Sequence, residues 1–316
     1  MKRGGRRVRA VANVHTQVMQ AGIRAAVAGL RGTVSFQAPL RNYTSFKIGG
    51  PADVLVEPAD IEEVCLVVQQ ARARKVPFFV LGGTNLLVRD GGIRGIVISL
   101  ARLRGIKEEP GSVLYAEGGV GMPTVIGYAI RHSLTGLEWA AGIPGTVAGG
   151  VVMNAGTKLG EMKDSVKAVR MVNMKGQIVD LEAARVRFEY RRALLPRGIV
   201  VGAWLQLKPG VRSEIERMVK DYLRYRRDTQ PLALPSAGCV FKNPPGDSAG
   251  RLIEVAGLKG ARVGDAEVSM KHGNFIVNRG HACAADVVAL IGKVRSSIRR
   301  RTGVRLGLEL KIVGKA

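Results

Sequence analysis

The sequence predicts a mixed fold, α/β in its first part and α+β in a compact C-terminal domain. The first observation is a βαβ unit within residues 40–100, where a strand, an amphipathic helix and a buried strand follow one another. The second is a group of antiparallel strands within residues 166–207, and the third is a mixture of helices and short strands after residue 212. A length of 316 residues fits two or three domains.

The first layer begins with a predicted strand over Ala52–Glu57 and a helix capped by Asp60, with Glu63 as the partner in a capping box. Pro77 ends this helix before a buried strand over Phe78–Leu81. The next predicted elements are strands over Gly95–Leu100 and Val113–Glu117, a helix over Pro123–His132, and antiparallel strands over Val166–Asn173, Gln177–Leu181 and Ile199–Leu207.

The C-terminal unit is predicted to begin with a helix whose start is marked by Ser213 and Glu216, at the spacing of a capping box. Its other predicted elements are helices over Ala249–Ala256 and Ala284–Arg300, a strand near Phe275–Val277 and a final strand over Leu306–Val313. In that final strand the alternation of apolar residues turns Glu309 outward, so the pattern alone predicts a solvated side chain.

Composition excludes several classes of protein. A hydrophobic fraction of 46% excludes a disordered chain, and since no segment reaches about 18 uninterrupted apolar residues, no membrane span is predicted. The three cysteines are too scattered for a disulfide framework, and no metal site is predicted. We therefore expect a reducing, cytoplasmic compartment.

The chain is strongly basic, with a formal net charge of +24, and this balance favours anionic ligands. Residues 1–30 hold no acidic residue and are predicted to form a basic N-terminal arm. The pattern leaves open whether the arm contains a helix over Val14–Leu30 or has no fixed order.

Two glycine-rich stretches are candidates for binding phosphate. Gly82 and Gly83 follow a buried strand directly, where backbone N–H groups can turn outward without a Cβ in the way. The alternative is an ordinary hairpin turn. The second stretch, residues 136–156, holds six glycines and shows no convincing period. Two such nests suggest one extended, phosphate-containing ligand between two subdomains, unless the glycines only allow strands to pack closely.

Five segments together resemble one known family. They are NYTSFKIGGPA (Asn42–Ala52), LGGTNLLV (Leu81–Val88), AGIPGTVAGGVVMNAG (Ala141–Gly156), FEYRRALLP (Phe188–Pro196) and PSAGCVFKNP (Pro235–Pro244). In this order they closely resemble the UDP-N-acetylenolpyruvoylglucosamine reductases, the MurB family, in a shorter form without a tyrosine-bearing loop over the substrate. The resemblance implies a two-subdomain FAD-binding fold of the vanillyl-alcohol oxidase / p-cresol methylhydroxylase type and a C-terminal α+β substrate-binding domain.

The same resemblance implies FAD-binding subdomains at residues 31–105 and 106–211 and a substrate-binding domain at residues 212–316. The implied reaction is the reduction of UDP-N-acetylglucosamine enolpyruvate to UDP-N-acetylmuramate in peptidoglycan precursor synthesis. FAD is the implied cofactor and NADPH the implied hydride donor. We expect neither a membrane, nor a nucleic acid, nor an obligate protein partner.

Carried over position by position, the resemblance implies three groups of site residues. The catalytic group is Arg191, Cys239 and Glu309. The cofactor-binding group is Gly82, Gly83, Thr84, Asn85, Leu86, Gly119, Ile143, Gly145, Thr146 and Gly150. Contacts with the substrate are expected from Tyr190, Arg226, Arg227, Lys242 and Asn243.

The catalytic group suits the chemistry. The guanidinium of Arg191 offers a planar fork for a carboxylate, a positioned acid must deliver a proton to carbon, and burial would keep Glu309 protonated. Position 239 departs from the family, which commonly has serine there. A thiol is the stronger acid, but its thiolate is open to oxidation. The alternatives are a packing cysteine at 239 and a solvated arginine at 191, within a run of arginines.

Two other functions stay open at this point. A basic nucleic-acid-binding protein is suggested by the net charge and by six basic residues without an acid between residues 290 and 305. Against it, aromatic residues make up only 5% of the chain and no base-reading motif is present. Another oxidase of the same flavin fold is expected to lack the catalytic group. His132, His272 and His281 have no partner at motif spacing and are interpreted as surface or packing residues.

Overall fold

A four-stranded sheet lies at the N-terminal end of the computed structural model, which describes residues 17–316. Its elements and their neighbours are α1 (17–26), β1 (Thr33–Pro39), β2 (Pro51–Glu57), α2 (Ile61–Ala73), β3 (Phe78–Leu81), β4 (Leu86–Val88) and β5 (Ile93–Ser99). The strand order is β1-β2-β5-β3. β2 and β3 both run parallel to β5, and β1 is antiparallel to β2. The predicted βαβ unit is confirmed.

The N-terminal segment is more firmly placed than the sequence predicts. Residues 17–26 are helical, and Ile23, Ala26 and Val27 are buried in the main core. Of the two alternatives, the helix over Val14–Leu30 is confirmed for residues 17–26, because their apolar face packs on the main core. The rest of the arm lies outside the described residues. Asp60 caps α2 as predicted, but the Glu63 carboxylate accepts from the backbone N–H groups of Gly32 and Ala59 instead of closing a capping box.

A second sheet of five antiparallel strands follows, in the order β12-β11-β15-β7-β6. The strands of this region are β6 (Ile106–Glu109), β7 (Val113–Glu117), β8 (Leu134–Thr135), β9 (Gly156–Thr157), β10 (Gly160–Glu161), β11 (Val166–Asn173), β12 (Ile178–Glu182), β13 (Arg187–Glu189), β14 (Arg192–Leu194), β15 (Gly198–Gln206) and β16 (Lys208–Pro209). Its helices are α3 (Met122–Arg131) and α4 (Val147–Met153). The sequence pattern misses α4, because a helix of seven residues with two glycines has no measurable period.

The C-terminal region has its own antiparallel sheet, in the order β17-β20-β19-β18. Its elements are α5 (Arg212–Thr229), β17 (Ser236–Cys239), α6 (Ala249–Val255), β18 (Arg262–Val263), β19 (Ala266–Val268), β20 (Phe275–Asn278), α7 (Ala284–Thr302) and β21 (Lys311–Val313). The capping box predicted at Ser213 and Glu216 is wrong, because α5 already begins at Arg212 and Val211 stands at its N-cap without a side-chain hydrogen bond.

The C-terminal region and the first layer share both a core and a strand pair. β21 runs parallel to β4, and Phe46, Ile48 and Leu87 are buried in the same hydrophobic cluster as the helices and strands of the C-terminal region. In the other direction, Val219 of α5 is buried in the core of the preceding region. The C-terminal region is therefore held against the first two regions by continuous packing. The domain boundaries at 31–105, 106–211 and 212–316 stay a prediction.

The end of the chain differs from its sequence pattern. Only Lys311–Val313 form a strand, whereas Leu308 makes an isolated bridge to Phe241. The predicted strand over Leu306–Val313 is thus wrong in its first half. Within residues 17–316, no helix is both long enough and apolar enough to cross a membrane.

Candidate active site

A cleft of about 680 Å³ opens where the three regions meet. One wall is formed by the turn after β3 and the loop before α4, a second by the β9–β10 hairpin and α5, and a third by β17, β20 and the stretch before β21. The predicted residues that line it are Gly82, Gly83, Thr84, Asn85, Ile143, Gly145, Thr146, Gly150, Arg191, Arg226, Cys239, Asn243 and Glu309. Residues far apart in the chain are therefore brought together as expected.

Backbone N–H groups line one end of this cleft. Those of Gly83, Thr84 and Asn85 donate no hydrogen bond to any group within residues 17–316, and the same holds for Gly145 and Thr146. The two loops are tied together by the Thr146 hydroxyl, which donates to the Gly82 carbonyl at 3.2 Å. Unpaired backbone N–H groups of successive residues in a turn bind phosphate oxygens. The residues present therefore fit the diphosphate of FAD, and we call this end of the cleft the cradle.

The cradle also explains one glycine of α4. A Cβ built on Gly149 would lie 2.2 Å from the carbonyl oxygen of Gly82, so any side chain there forces the two loops apart. Gly119 and Leu86, in contrast, do not line the cleft. Gly119 packs against the Leu100 carbonyl, where a Cβ would lie at 1.7 Å, and Leu86 is a buried β4 residue paired with Lys311. Their predicted contact with the cofactor is not supported by these positions.

Arg191 and Glu309 face each other in another part of the lining, which we call the catalytic end. Arg191 lies in the turn between β13 and β14 with φ +59°, and its Nε is 3.2 Å from the Glu309 Oε1. Their side chains are only 20% and 14% exposed, so the expectation of two solvated residues is wrong. Glu309 turns inward because the backbone is bent here: the N–H groups of Glu309 and Leu310 both donate to the Val240 carbonyl.

The turn that carries Arg191 is braced by Asn154, which the sequence reasoning missed. Asn154 is fully buried and ends α4 in the left-handed region, with φ +41°. Its Nδ2 donates to the Glu161 carboxylate at 2.8 Å and to the Glu189 carbonyl at 3.1 Å, two residues before Arg191. A lone amide in the apolar run VVMNAG was the available signal, since asparagine is favoured in this conformation.

Cys239 ends β17 beside this pair. Burial, followed by the charge of Glu309, raises the pKa of the Cys239 thiol to about 12. The thiol therefore stays protonated, and the expected sensitivity to oxidation through a thiolate is not supported. Burial also raises the pKa of Glu309, while the charges of Arg191 and Lys242 oppose that shift. The catalytic group thus combines a protonated thiol, that of Cys239, with the guanidinium of Arg191.

α5 contributes a wall with two buried, unpartnered polar atoms. The Nε of Arg226 and the Oε1 of Gln230 have no hydrogen-bond partner in the described part of the chain, and both residues line the cleft. Burial lowers the pKa of Arg226. Buried polar atoms are costly unless paired, which is typical of groups that bind a ligand. Gln230, the C-cap residue that follows the last residue of α5, was missed, although it comes four residues after Arg226.

Other predicted substrate residues lie outside the lining. Tyr190 is 46% exposed with the Arg191 guanidinium 5.1 Å from its ring centroid, and Arg227 is exposed on α5. Lys242 acts on the site only through its charge, which opposes the raised pKa of Glu309. Direct contacts from these three are not supported. His272 was interpreted as a packing residue, yet it lines the cleft, and burial lowers its pKa.

Comparison with family models places both halves of the chain. Residues 52–182 match the model described as FAD binding domain, and residues 230–313 match the C-terminal domain of UDP-N-acetylenolpyruvoylglucosamine reductase. The predicted fold class, an FAD-binding domain followed by a C-terminal domain, is thereby confirmed.

Full-length relatives agree. The chain is 44% identical to the UDP-N-acetylenolpyruvoylglucosamine reductase of Caldanaerobacter subterraneus over 90% of this chain and 95% of that protein. It is 46% identical to reductase 2 of Symbiobacterium thermophilum over 90% and 93%. The crystal structure of the MurB enzyme from Thermus caldophilus matches with a TM-score of 0.78 and 38% identity, over 90% of this chain and all of that one. The chain therefore belongs to the MurB family of UDP-N-acetylenolpyruvoylglucosamine reductases.

Proposed function

We propose that the protein is a cytoplasmic, FAD-dependent reductase that uses NADPH to convert UDP-N-acetylglucosamine enolpyruvate into UDP-N-acetylmuramate for peptidoglycan synthesis. The observation that carries this proposal is the division of one cleft into two ends. The cradle suits a diphosphate, and the catalytic end holds Arg191, Cys239 and Glu309. When bound, the flavin supplies the hydride that this chain's own residues cannot.

Arg191 is the residue suited to bind the carboxylate of the enolpyruvyl group. Its guanidinium is held by Glu309 through Nε, which leaves the terminal nitrogens to face the substrate. Negative charge develops on the carboxylate side when a hydride adds to the double bond, and a fixed guanidinium stabilises that charge most where it is largest. Glu309 acts as the orienting partner, because a buried carboxyl group beside Arg191 restrains the orientation of the guanidinium.

Cys239 is suited to donate the proton to the second carbon. Since its pKa is about 12, the thiol keeps its proton until a strongly basic carbon is presented. The thiolate left behind is stabilised by the positive charges of Arg191 and Arg226, both of which act to lower the pKa of this thiol. Arg226 and Gln230, with their unpartnered polar atoms, are suited to bind the uridine diphosphate.

An anaerobic titration tests the proposal. NADPH is expected to bleach the flavin absorbance of the purified holoenzyme, and UDP-N-acetylglucosamine enolpyruvate is expected to restore it with one equivalent. UDP-N-acetylglucosamine, which lacks the double bond, is the matched control and should leave the flavin reduced. A flavin that the enolpyruvyl substrate does not reoxidise contradicts the reductase. A colourless protein with salt-sensitive RNA affinity would favour the nucleic-acid alternative instead.

A further inference from the structure

Two exposed side chains of the second cleft wall, one on the β9–β10 hairpin and one on α5, lie against each other. Lys158, at the tip of the β9–β10 hairpin, places its Nζ 5.2 Å from the ring centroid of Tyr225 on α5. Both residues line the cleft and both are exposed, Tyr225 by 55%. No step of the proposed reaction uses either of them.

The β9–β10 hairpin and α5 rest on one base. Gly160 lies against Trp139, where a Cβ would be 2.9 Å from the indole ring, and the Thr157 hydroxyl donates to the Trp139 carbonyl at 3.4 Å. α5 packs on the same short helix, residues 138–140. Because both backbones are held by Trp139 and its neighbours, the side chains of Lys158 and Tyr225 can part without a movement of the fold.

The pair presents two complementary surfaces to a ligand. Lys158 forms no salt bridge with any carboxylate in the described part of the chain, and Asp221 on the neighbouring turn of α5 faces Arg217 instead. An exposed cation–π contact is weak. A ligand with a flat base and a phosphate can exchange this one contact for two. Its base stacks on the tyrosine ring, and its phosphate binds the ammonium group of the lysine.

We propose that Lys158 and Tyr225 form a clasp on this wall that binds a nucleoside diphosphate, with the base on Tyr225 and the phosphates on Lys158. The inference rests on the proposed function for the identity of the ligands. Two sources offer this chemistry, the UDP moiety of the substrate and the diphosphate of NADPH, and the experiment separates them.

The experiment measures binding to the oxidised holoenzyme by the change in flavin absorbance, so that no turnover is required. The probes are UDP-N-acetylglucosamine enolpyruvate and NADP+. Tyr225→Leu is expected to raise the Kd of the ligand that occupies the clasp about tenfold, as loss of one stacked base does. Lys158→Met is expected to raise the same Kd about fivefold and to flatten its dependence on salt.

Matched variants keep each interaction. Tyr225→Phe retains the ring and Lys158→Arg retains the charge, and both should bind within about twofold of the wild type. Weaker binding of the UDP substrate alone assigns the clasp to UDP, and weaker binding of NADP+ alone assigns it to the dinucleotide. Unchanged affinity for both probes in Tyr225→Leu and Lys158→Met overturns the clasp. The proposed function fails separately, when the wild-type enzyme binds the substrate but is not reoxidised by it.

Discussion

The two ends of the cleft are built from different parts of the chain. At the cradle the binding groups are backbone N–H groups of residues 83–85 and 145–146. At the catalytic end they are the ionisable side chains of Arg191, Cys239 and Glu309, whose properties depend on burial. A backbone site is therefore damaged by atoms that are added, and a side-chain site by atoms that are removed or by a proton that is lost.

Removal of the thiol is expected to have the largest effect. Cys239→Ala should leave flavin reduction by NADPH unchanged and slow reoxidation by the enolpyruvyl substrate about 10²–10⁴-fold, as loss of a general acid does. Cys239→Ser should keep substantial turnover, because a hydroxyl occupies the same place. Stopped-flow measurement of the two half-reactions separates these effects. Normal reoxidation in the alanine variant would falsify the assignment of the proton donor.

The raised pKa of Cys239 gives the second prediction. At pH 8 a thiol of pKa about 12 is ionised to about one part in 10⁴, so iodoacetamide should react with Cys239 at least about 100-fold more slowly than with free glutathione. Only the thiolate reacts, so the rate should keep rising with pH beyond pH 9. Peptide mass spectrometry across pH 7–10 measures it.

A matched variant tests the cause of that shift. Glu309→Gln removes the negative charge that contributes to the raised pKa, so labelling of Cys239 should become faster and begin at lower pH. A labelling rate that levels off near pH 9 in the wild-type protein contradicts the raised pKa. The same result would restore the sensitivity to oxidation that the sequence suggested.

At the cradle the informative change adds a single methyl group. Gly149→Ala places a Cβ about 2.2 Å from the Gly82 carbonyl, and neither backbone can give way by rotating a side chain. We expect a loss of about 1–3 kcal/mol in the free energy of unfolding and a weaker hold on FAD. Denaturant unfolding and the flavin-to-protein absorbance ratio measure the two effects.

Gly127→Ala is the control, since Gly127 also lies within a helix but its nearest neighbour would be 3.6 Å from the new Cβ. That variant should be as stable as the wild type or slightly more stable, because alanine has a higher helix propensity than glycine. Equal behaviour of the two alanine variants would contradict the close approach of α4 to the cradle.

The two ends also differ in how far the sequence could predict them. The cradle follows from local signals, because Gly82 and Gly83 come directly after a buried strand and a tight backbone turn needs no distant partner. The short strand β4 directly after the cradle is missed, whereas β3 directly before it is predicted with its observed bounds. The short α4 is missed as well, since its fit depends on the carbonyl of Gly82 in another layer.

The catalytic end depends on contacts between distant segments. Alternation placed Glu309 in solvent, yet the double acceptance by the Val240 carbonyl bends the chain and turns the carboxyl group inward. A run of arginines favoured a solvated Arg191, and only the brace of Asn154 and the pairing with Glu309 place it inside. These roles came from the family resemblance, since no local pattern reports where two remote loops meet.

Asn85 connects the two ends, and its substitution tests whether they act independently. Its backbone belongs to the cradle, while its Nδ2 donates to the backbone carbonyl of Glu309 at 3.1 Å. Asn85→Ala removes that hydrogen bond together with the weaker one from Nδ2 to the Met153 sulfur at 3.5 Å, so the effect should be about 0.5–1.5 kcal/mol. We expect reoxidation by the enolpyruvyl substrate to slow about fivefold with little change in FAD affinity.

Ser45→Ala is the matched control, because the Ser45 hydroxyl holds the same turn through the Thr84 carbonyl at 2.8 Å without contact to Glu309. This variant should weaken FAD binding and leave the rate of reoxidation unchanged. If both variants lower FAD affinity alone, the Asn85 side chain serves the cradle only, and the two ends are independent. A slower reoxidation confined to Asn85→Ala means that the cofactor and the catalytic group are aligned through the Asn85 amide. In the part of the chain described, no other side chain of this turn reaches the Glu309 backbone.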